Sequence, residues 1–215
     1  MILNPAVKVT MPSLPQHPIL DQSFALIDQE MGPHAFSPEE YAVVRRVIHS
    51  TADFELAHLL RISSEAIAAG IKALQSGSPI VTDVSMVRQG CQGMVQQTFG
   101  NPLQAAVDLA PVAAPGKTRT ATGLLRAGEQ WPTAIYVIGN APTALQALCD
   151  CVEAATITPS LVIGVPVGFV GVVAAKQRLA ALSMPQIRVE GRKGGSTVAA
   201  AIVNALLVLA WEALP

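Results

Sequence analysis

From residue 134 onward the chain alternates between short, unbroken apolar runs and longer segments whose apolar positions recur at helical spacing. Ala134-Ile135-Tyr136-Val137-Ile138 and Leu161-Val162-Ile163 are apolar without alternation, the pattern of parallel strands covered by helices on both faces. A third such unit begins at Gln186. Each run ends in a Gly/Pro turn, namely Gly139–Thr143, Gly164–Gly171 and Gly191–Ser196, and each turn leads into an Ala-rich helical segment. The repetition predicts an α/β fold with an open, mainly parallel sheet flanked by helices in a single domain.

In such sheets ligands sit beyond the carboxyl ends of the strands, where helix N-termini offer unpaired N–H groups to an anion. Glycine at these turns permits positive φ and close backbone approach. One glycine turn alone is read equally well as a tight chain reversal; three in succession point to a polyanionic ligand. Neither G-x-G-x-x-G nor G-x-x-x-x-G-K-[ST] spacing occurs, so a nucleotide is not supported.

Ahead of these units, residues 1–18 carry Pro5, Pro12, Pro15 and Pro18 and read as an extended arm, leaving 19–215 as the folded domain. Asp21–Glu30 reads as a short amphipathic helix stopped by Gly32-Pro33. Ser37-Pro38-Glu39-Glu40 is a capping box with proline at the first helical position, so a helix starts at Pro38 and runs through Arg46-Val47-Ile48-His49. Tyr41, Val44, Ile48 and Thr51 share its buried face, and His49, about 100° from Ile48, lies near the edge of that face. Ser63 and Ser64 are expected to cap a helix over Glu65–Gln75, and Gly77-Ser78-Pro79 leads to a strand, Ile80-Val81-Thr82, ending at Asp83. The uncharged stretch Val198–Trp211, with Ser196 as its expected N-cap, is too short for ~30 Å of hydrocarbon and is interrupted by Asn204. It reads as a core or subunit-interface helix.

Composition narrows the functional classes. With 51% hydrophobic residues in 215, the chain can bury a large core. A net charge of −1 and only 13% charged residues give no basic footprint for nucleic acid or anionic lipid, so any anion site is local. The odd set Cys91, Cys149 and Cys151 contains no Cys-x-x-Cys, and the start of the chain lacks a basic-apolar-cleavage succession; a reduced, cytoplasmic protein without a metal site is expected. His49, with an ordinary pKa near 6.5, is the candidate for proton transfer, although a histidine beside a helix face is more often structural. His17, His34 and His58 are expected in solvent, and Lys117, Arg119 and Arg126 are the basic candidates of the middle segment, broken by Pro111, Pro115 and Gly116.

Several ordered blocks carry a resemblance. They are Ser23-Phe24 with Ile27 and Glu30, Arg46-Val47-Ile48-His49, Gly77-x-Pro79-Ile80 with Asp83-x-x-Met86-Val87, Thr118-Arg119-Thr120-Ala121, Gly139–Leu145, Pro166–Gly171 and Gly191-Arg192-x-Gly194-Gly195-Ser196. Together they resemble the precorrin-8X methylmutases, a family that includes the cobalt-precorrin-8 methylmutases of cobalamin biosynthesis. The resemblance implies an isomerase that moves a methyl group from ring carbon 11 to ring carbon 12 of a corrin precursor by a 1,5-sigmatropic shift. No external cofactor is implied, and cobalt, where present, arrives inside the corrinoid tetrapyrrole substrate.

By that pattern His49 matches the active-site histidine, acting on a ring nitrogen beside the migrating methyl. Ser23, Asp83, Arg119, Gly139, Asn140, Ala141, Thr143, Gly168, Phe169, Arg192, Gly194, Gly195 and Ser196 are the substrate-binding candidates. Arg119 is a carboxylate clamp through its paired donors, and the turn N–H groups take further carboxylates. A homodimer and hand-over to neighbouring pathway enzymes are also implied, with neither nucleic acid nor membrane as partner. Ser50-Thr51-Ala52-Asp53-Phe54 resembles the cobalt-using members. Ala174-Ala175-Lys176 stands where the family usually has Glu-Ser-Lys, so no role passes to a serine there. Two readings of other classes compete: a tetrapyrrole carrier without catalysis, and a nucleotide-using α/β enzyme suggested by fold pattern alone.

Overall fold

The computed structural model describes Leu14 and residues 17–214. The expected extended arm therefore lies outside the described residues except at its last positions, where Pro18 already opens a helix.

That helix, α1 (Pro18–Met31), takes His17 as N-cap, whose ring nitrogen accepts the Ile19 N–H, and ends at Gly32. Its partner α2 (Pro38–Thr51) carries the full reciprocal capping box: Ser37 Oγ accepts the Glu40 N–H and the Glu40 carboxylate accepts the Ser37 N–H. Val43, Val44, Val47 and Ile48 form its buried stripe. Asp28 on α1 accepts the Tyr41 hydroxyl at 2.6 Å and Arg45 at 3.0 Å, so the two helices are joined by polar bonds as well as by Ile27.

Among the described residues six strands form one sheet: β1 (Leu60–Ile62), β2 (Ile80–Thr82), β3 (Leu103–Ala105), β4 (Ile135–Ile138), β5 (Leu161–Gly164) and β6 (Gln186–Val189), in the order β1-β6-β5-β4-β2-β3. All pairs are parallel except β1 with β6. The mainly parallel sheet is as expected; the antiparallel edge strand β1 and the three-residue β3 are additions, too short and too mixed in character to stand out in the sequence.

Helices α4 (Ala66–Gln75), α5 (Ser85–Gln97) and α9 (Ser196–Glu212) cover one face, with α2 packed over α9. The other face is covered by α6 (Arg119–Gln130), α7 (Pro142–Glu153) and α8 (Val172–Ala180). A short α3 (Glu55–Leu59) joins α2 to the edge strand. Because α9 is apolar all round, it is a helix that needs partners on every side, and it finds them in α2, α4, α5, β4 and β5. Gly90 lets α5 approach closely: a methyl group there would lie 2.7 Å from Ala200 Cβ.

Two local expectations are corrected. Ser196 is the first residue of α9 rather than its cap; Gly195 holds the N-cap position, without a side-chain bond. Neither Ser63 nor Ser64 caps α4, whose N-cap is Glu65; Ser63 Oγ instead accepts the Gln186 N–H at 3.0 Å and ties the start of β6 to the edge strand. His34, exposed as expected, stacks on Tyr41 at 4.0 Å.

Candidate active site

Between β2 and β4 the winding reverses: the chain leaves β2 for β3 at the sheet edge, then returns to β2's other side as β4. The crevice outside the carboxyl ends at such a reversal is the usual ligand position. Here the protein fills it with its own carboxylate. Asp83, fully buried at the end of β2, accepts the N–H groups of Gly139 at 3.0 Å, Asn140 at 2.8 Å and Ala141 at 2.7 Å. Burial pushes its carboxyl above the ordinary range, opposed by these donors and the Val84 N–H. Asp83 thus holds the β4 turn from beneath instead of facing a ligand, and the backbone donors of Gly139, Asn140 and Ala141 are already taken. The exposed side chain of Asn140 and the exposed Thr143 remain at the rim, and Thr143 Oγ1 lies 2.8 Å from Thr118 Oγ1, the N-cap residue of α6.

Beside this filled crevice a groove of about 340 Å³ opens over the N-terminal half of α9, lined by Arg46 and Ser50 of α2, Met86 and Gly90 of α5, and Ser196 and Thr197 of α9. Its volume is near the low end for small-molecule sites, ~300–1,000 Å³. The β4 turn packs closely beneath the start of α9: a methyl group on Gly139 would be 3.0 Å from Ser196 Cα. His49 follows the groove-lining Arg46 by three residues, on the same side of α2, and the Arg46 charge acts on it. It is exposed, as an edge position requires, and its ring meets Phe24 of α1 edge-on at 5.5 Å. Phe24 in turn carries the Arg45 guanidinium at 4.3 Å and that of Arg46 at 5.5 Å. Desolvation, followed by the Arg46 charge, lowers the His49 pKa below its ordinary 6.5. Neighbouring Ser23 sits half-buried on α1 with its hydroxyl bonded to Ile19 O at 2.8 Å.

The turns after β5 and β6 are laced together. Gly195 N–H donates to Val165 O at 2.8 Å and Gly168 N–H to Arg192 O at 3.2 Å. Gly194 is required there: at φ +142° a side chain would be strained, and its Cβ would lie 2.3 Å from Val165 O. Gly168 and Gly195 thus spend their N–H groups on the partner turn. What the pair of turns offers outward is Phe169, 82% exposed, with the exposed Arg192 guanidinium 5.6 Å from its ring. Lys193 binds Asp53 at 2.6 Å and Glu55 at 2.7 Å, just beyond the α2 end that carries His49.

Arg119, at the start of α6, donates from Nε to Ala110 O at 2.9 Å and from Nη2 to Val107 O at 3.3 Å. Its side-on fork is therefore spent on the chain, and a carboxylate is left the outer edge of the guanidinium. Arg126 is similarly bound to Leu109 O. Sequence reasoning missed Arg46, Met86 and Lys193; for Arg46 the signal was present, as it shares a helix face with His49.

Two of the cysteines are unsuited to nucleophilic chemistry, because burial pushes the thiols of Cys91 and Cys149 up to about 12 and about 11. Among the described residues no cluster of three or more His, Cys, Asp or Glu is placed to hold a metal, and no helix is long and apolar enough to cross a membrane.

The doubly covered, mainly parallel sheet, with its loops gathered at the carboxyl ends of the strands and a groove lined by Arg46 beside them, defines an α/β protein. The family profile described as precorrin-8X methylmutase matches residues 18–209. The cobalt-precorrin-8 methylmutase of Synechocystis sp. is 59% identical over 211 residues, covering 92% of this chain and 97% of its own. That of Priestia megaterium is 42% identical, covering 88% and 86%. The crystal structure of precorrin-8X methylmutase from Thermus thermophilus superposes with a TM-score of 0.85 at 42% identity, over 91% of this chain and 96% of that one. The chain belongs to the precorrin-8X methylmutase family. It is accordingly an isomerase, an intramolecular methyl transferase of cobalamin biosynthesis.

Proposed function

We propose that the substrate is cobalt-precorrin-8 and that the methyl group moves from ring carbon 11 to ring carbon 12, with His49 as proton donor. The observation that supports this is the closeness of His49 to Arg46, whose charge acts on the imidazole and which lines the groove over the start of α9. A corrin precursor edged by acetate and propionate arms suits that arrangement: one arm pairs with Arg46 while the ring lies toward His49. The outer edge of Arg119, Arg192, the Asn140 side chain and the Ser196 N-terminal turn are available for further arms. Cobalt, when present, comes chelated in the substrate, and no external cofactor is invoked.

The lowered pKa of His49 gives substrate binding a second task. In the free protein partial desolvation and the Arg46 charge favour neutral imidazole. A carboxylate on Arg46 offsets the second of these causes and shifts the imidazole back toward its protonated form, so substrate arrival favours loading of the proton. Delivered to a ring nitrogen, it draws electrons from the conjugated imine and favours methyl migration toward it; the nitrogen returns it to His49 afterwards, leaving the enzyme unchanged. Holding the macrocycle in a reactive shape supplies the rest of the acceleration.

The test is incubation with cobalt-precorrin-8 and, separately, its metal-free counterpart, with the visible spectrum followed and the methyl position identified by NMR. Migration is expected with both and faster with the cobalt form. Folded His49→Ala should lose turnover by at least ~100-fold; conversion near the wild-type rate would remove His49 from the mechanism. Binding without migration would leave a tetrapyrrole carrier. The working unit is proposed to be a homodimer, and sedimentation as a monomer at assay concentration would reject that.

A further inference from the structure

Lys176 of α8 is the one lysine that is fully buried among the described residues, at 3% exposure. Such a charge normally persists inside a protein because a carboxylate pairs with it. Among the described residues Lys176 has no carboxylate within 4 Å. Glu190, which with Arg188 lines the same small cavity, is engaged with Arg61 at 2.8 Å, and Lys193 draws off Asp53 and Glu55. The Lys176 ammonium instead donates to two backbone carbonyls, Gly191 O at 3.0 Å and Lys193 O at 2.6 Å.

Those carbonyls belong to the residues on either side of Arg192. The carbonyl between them, that of Arg192 itself, accepts the Gly168 N–H at 3.2 Å. Three successive carbonyls are thus gripped from the protein side, two of them by one ammonium. The Arg192 side chain is left exposed, with its guanidinium by the ring of Phe169. A strand-to-helix turn of this length without such a grip would be free to rotate its peptides and swing the guanidinium through a wide arc.

We propose that Lys176 is a positioning residue that fixes the Gly191–Lys193 backbone so that Arg192 presents its guanidinium to a carboxylate arm of the substrate. The inference rests on the methylmutase reading for the identity of that carboxylate. Lys176 does not touch substrate and acts through Arg192. Burial lowers its pKa to about 8, which keeps the ammonium the main form at neutral pH.

A double-mutant cycle separates this role from simple bracing of the fold. KM and kcat for cobalt-precorrin-8 are measured for wild type, Lys176→Met, Arg192→Met and the double variant, each verified as folded by circular dichroism. Arg192→Met should raise KM by ~10-fold with kcat nearly unchanged, the loss of a charge-assisted pair in binding. Lys176→Met should raise KM comparably, the double variant should be no worse than Arg192→Met, and Lys176→Arg should recover most of the affinity. Independent, multiplying effects, or an unchanged KM in either single variant, would overturn the proposal. If Lys176→Met does not fold, the cycle is run with Lys176→Gln, whose amide is also a donor but lacks charge. Wild-type protein that neither converts nor binds the compound would sink the methylmutase reading itself. The positioning role is then read from amide hydrogen exchange at residues 191–195, which Lys176→Met must accelerate and Arg192→Met must leave unchanged.

Discussion

Replacing Asp83 by Asn tests whether an ionised carboxylate holds the β4 turn. In the native arrangement Oδ2 accepts Asn140 and Ala141 while Oδ1 accepts Gly139. The amide's one carbonyl oxygen can take the Oδ2 position and keep two bonds, now neutral, but its NH2 then faces the buried Gly139 N–H. An unpaired buried donor costs ~1–3 kcal/mol, and two charge-assisted bonds reduced to neutral ones lose about 1 kcal/mol each. The sum is roughly 3–5 kcal/mol, a large part of the ~5–15 kcal/mol by which folded domains are stable. At ~2–4 °C per kcal/mol for a chain of this size, Tm should fall by roughly 10 °C. Urea unfolding should show a lower midpoint with the slope unchanged. Since the turn also sets Thr143 against Thr118 at the start of α6, KM should rise as well. An unchanged midpoint would refute the reasoning: it would mean that Asp83 is protonated in the folded protein, a state that asparagine mimics.

The pH dependence follows from His49. With its pKa lowered in the free enzyme, kcat/KM should fall as pH rises through a value below 6.5, whereas kcat should fall at a higher pH because bound carboxylates offset Arg46. Arg46→Met should move the kcat/KM limb upward, and a limb that stays in place would separate the two residues. Gly123→Ala should destabilise by ~3 kcal/mol or more in urea, because its methyl would meet Ala106 O at 1.9 Å, a backbone atom that cannot step aside. Gly93→Ala, in the same kind of helix but with nothing within 4 Å, should stabilise by about 0.5–1 kcal/mol. Lys193→Met breaks two exposed ion pairs and should lower the thermal midpoint only slightly, with high salt reducing the difference.

The elements read best from the sequence were those whose local chemistry and tertiary setting agree. β4 and β5 are apolar because both faces are covered, and α2 begins where its capping box says. α5 was not legible: Gly90 and Gly93 lower its helical propensity, and the reason for Gly90, the approach of Ala200, lies on another helix. Ser63 and Ser196 both look like caps by type and position, but Ser63 is claimed by a strand 123 residues away. The candidate site was legible as a set of turns and not as a set of donors. No local signal indicates that Asp83 turns inward, that Gly168 and Gly195 spend their N–H groups on facing carbonyls, or that Arg119 commits its inner fork to Val107 and Ala110. These are pairings across loops, fixed only when the sheet brings its carboxyl ends together.

The position of α9 has a consequence for how the molecule is made. It is the last helix of the described chain, yet it is the element on which α2, α4 and α5 close. During synthesis the apolar stripes of those earlier helices emerge long before their common partner does. That face of the sheet must wait, half-covered and prone to association, until α9 has left the ribosome. Loss of residues 196–212 should therefore leave a chain that aggregates on synthesis, whereas the α6–α8 face has its partners in place earlier.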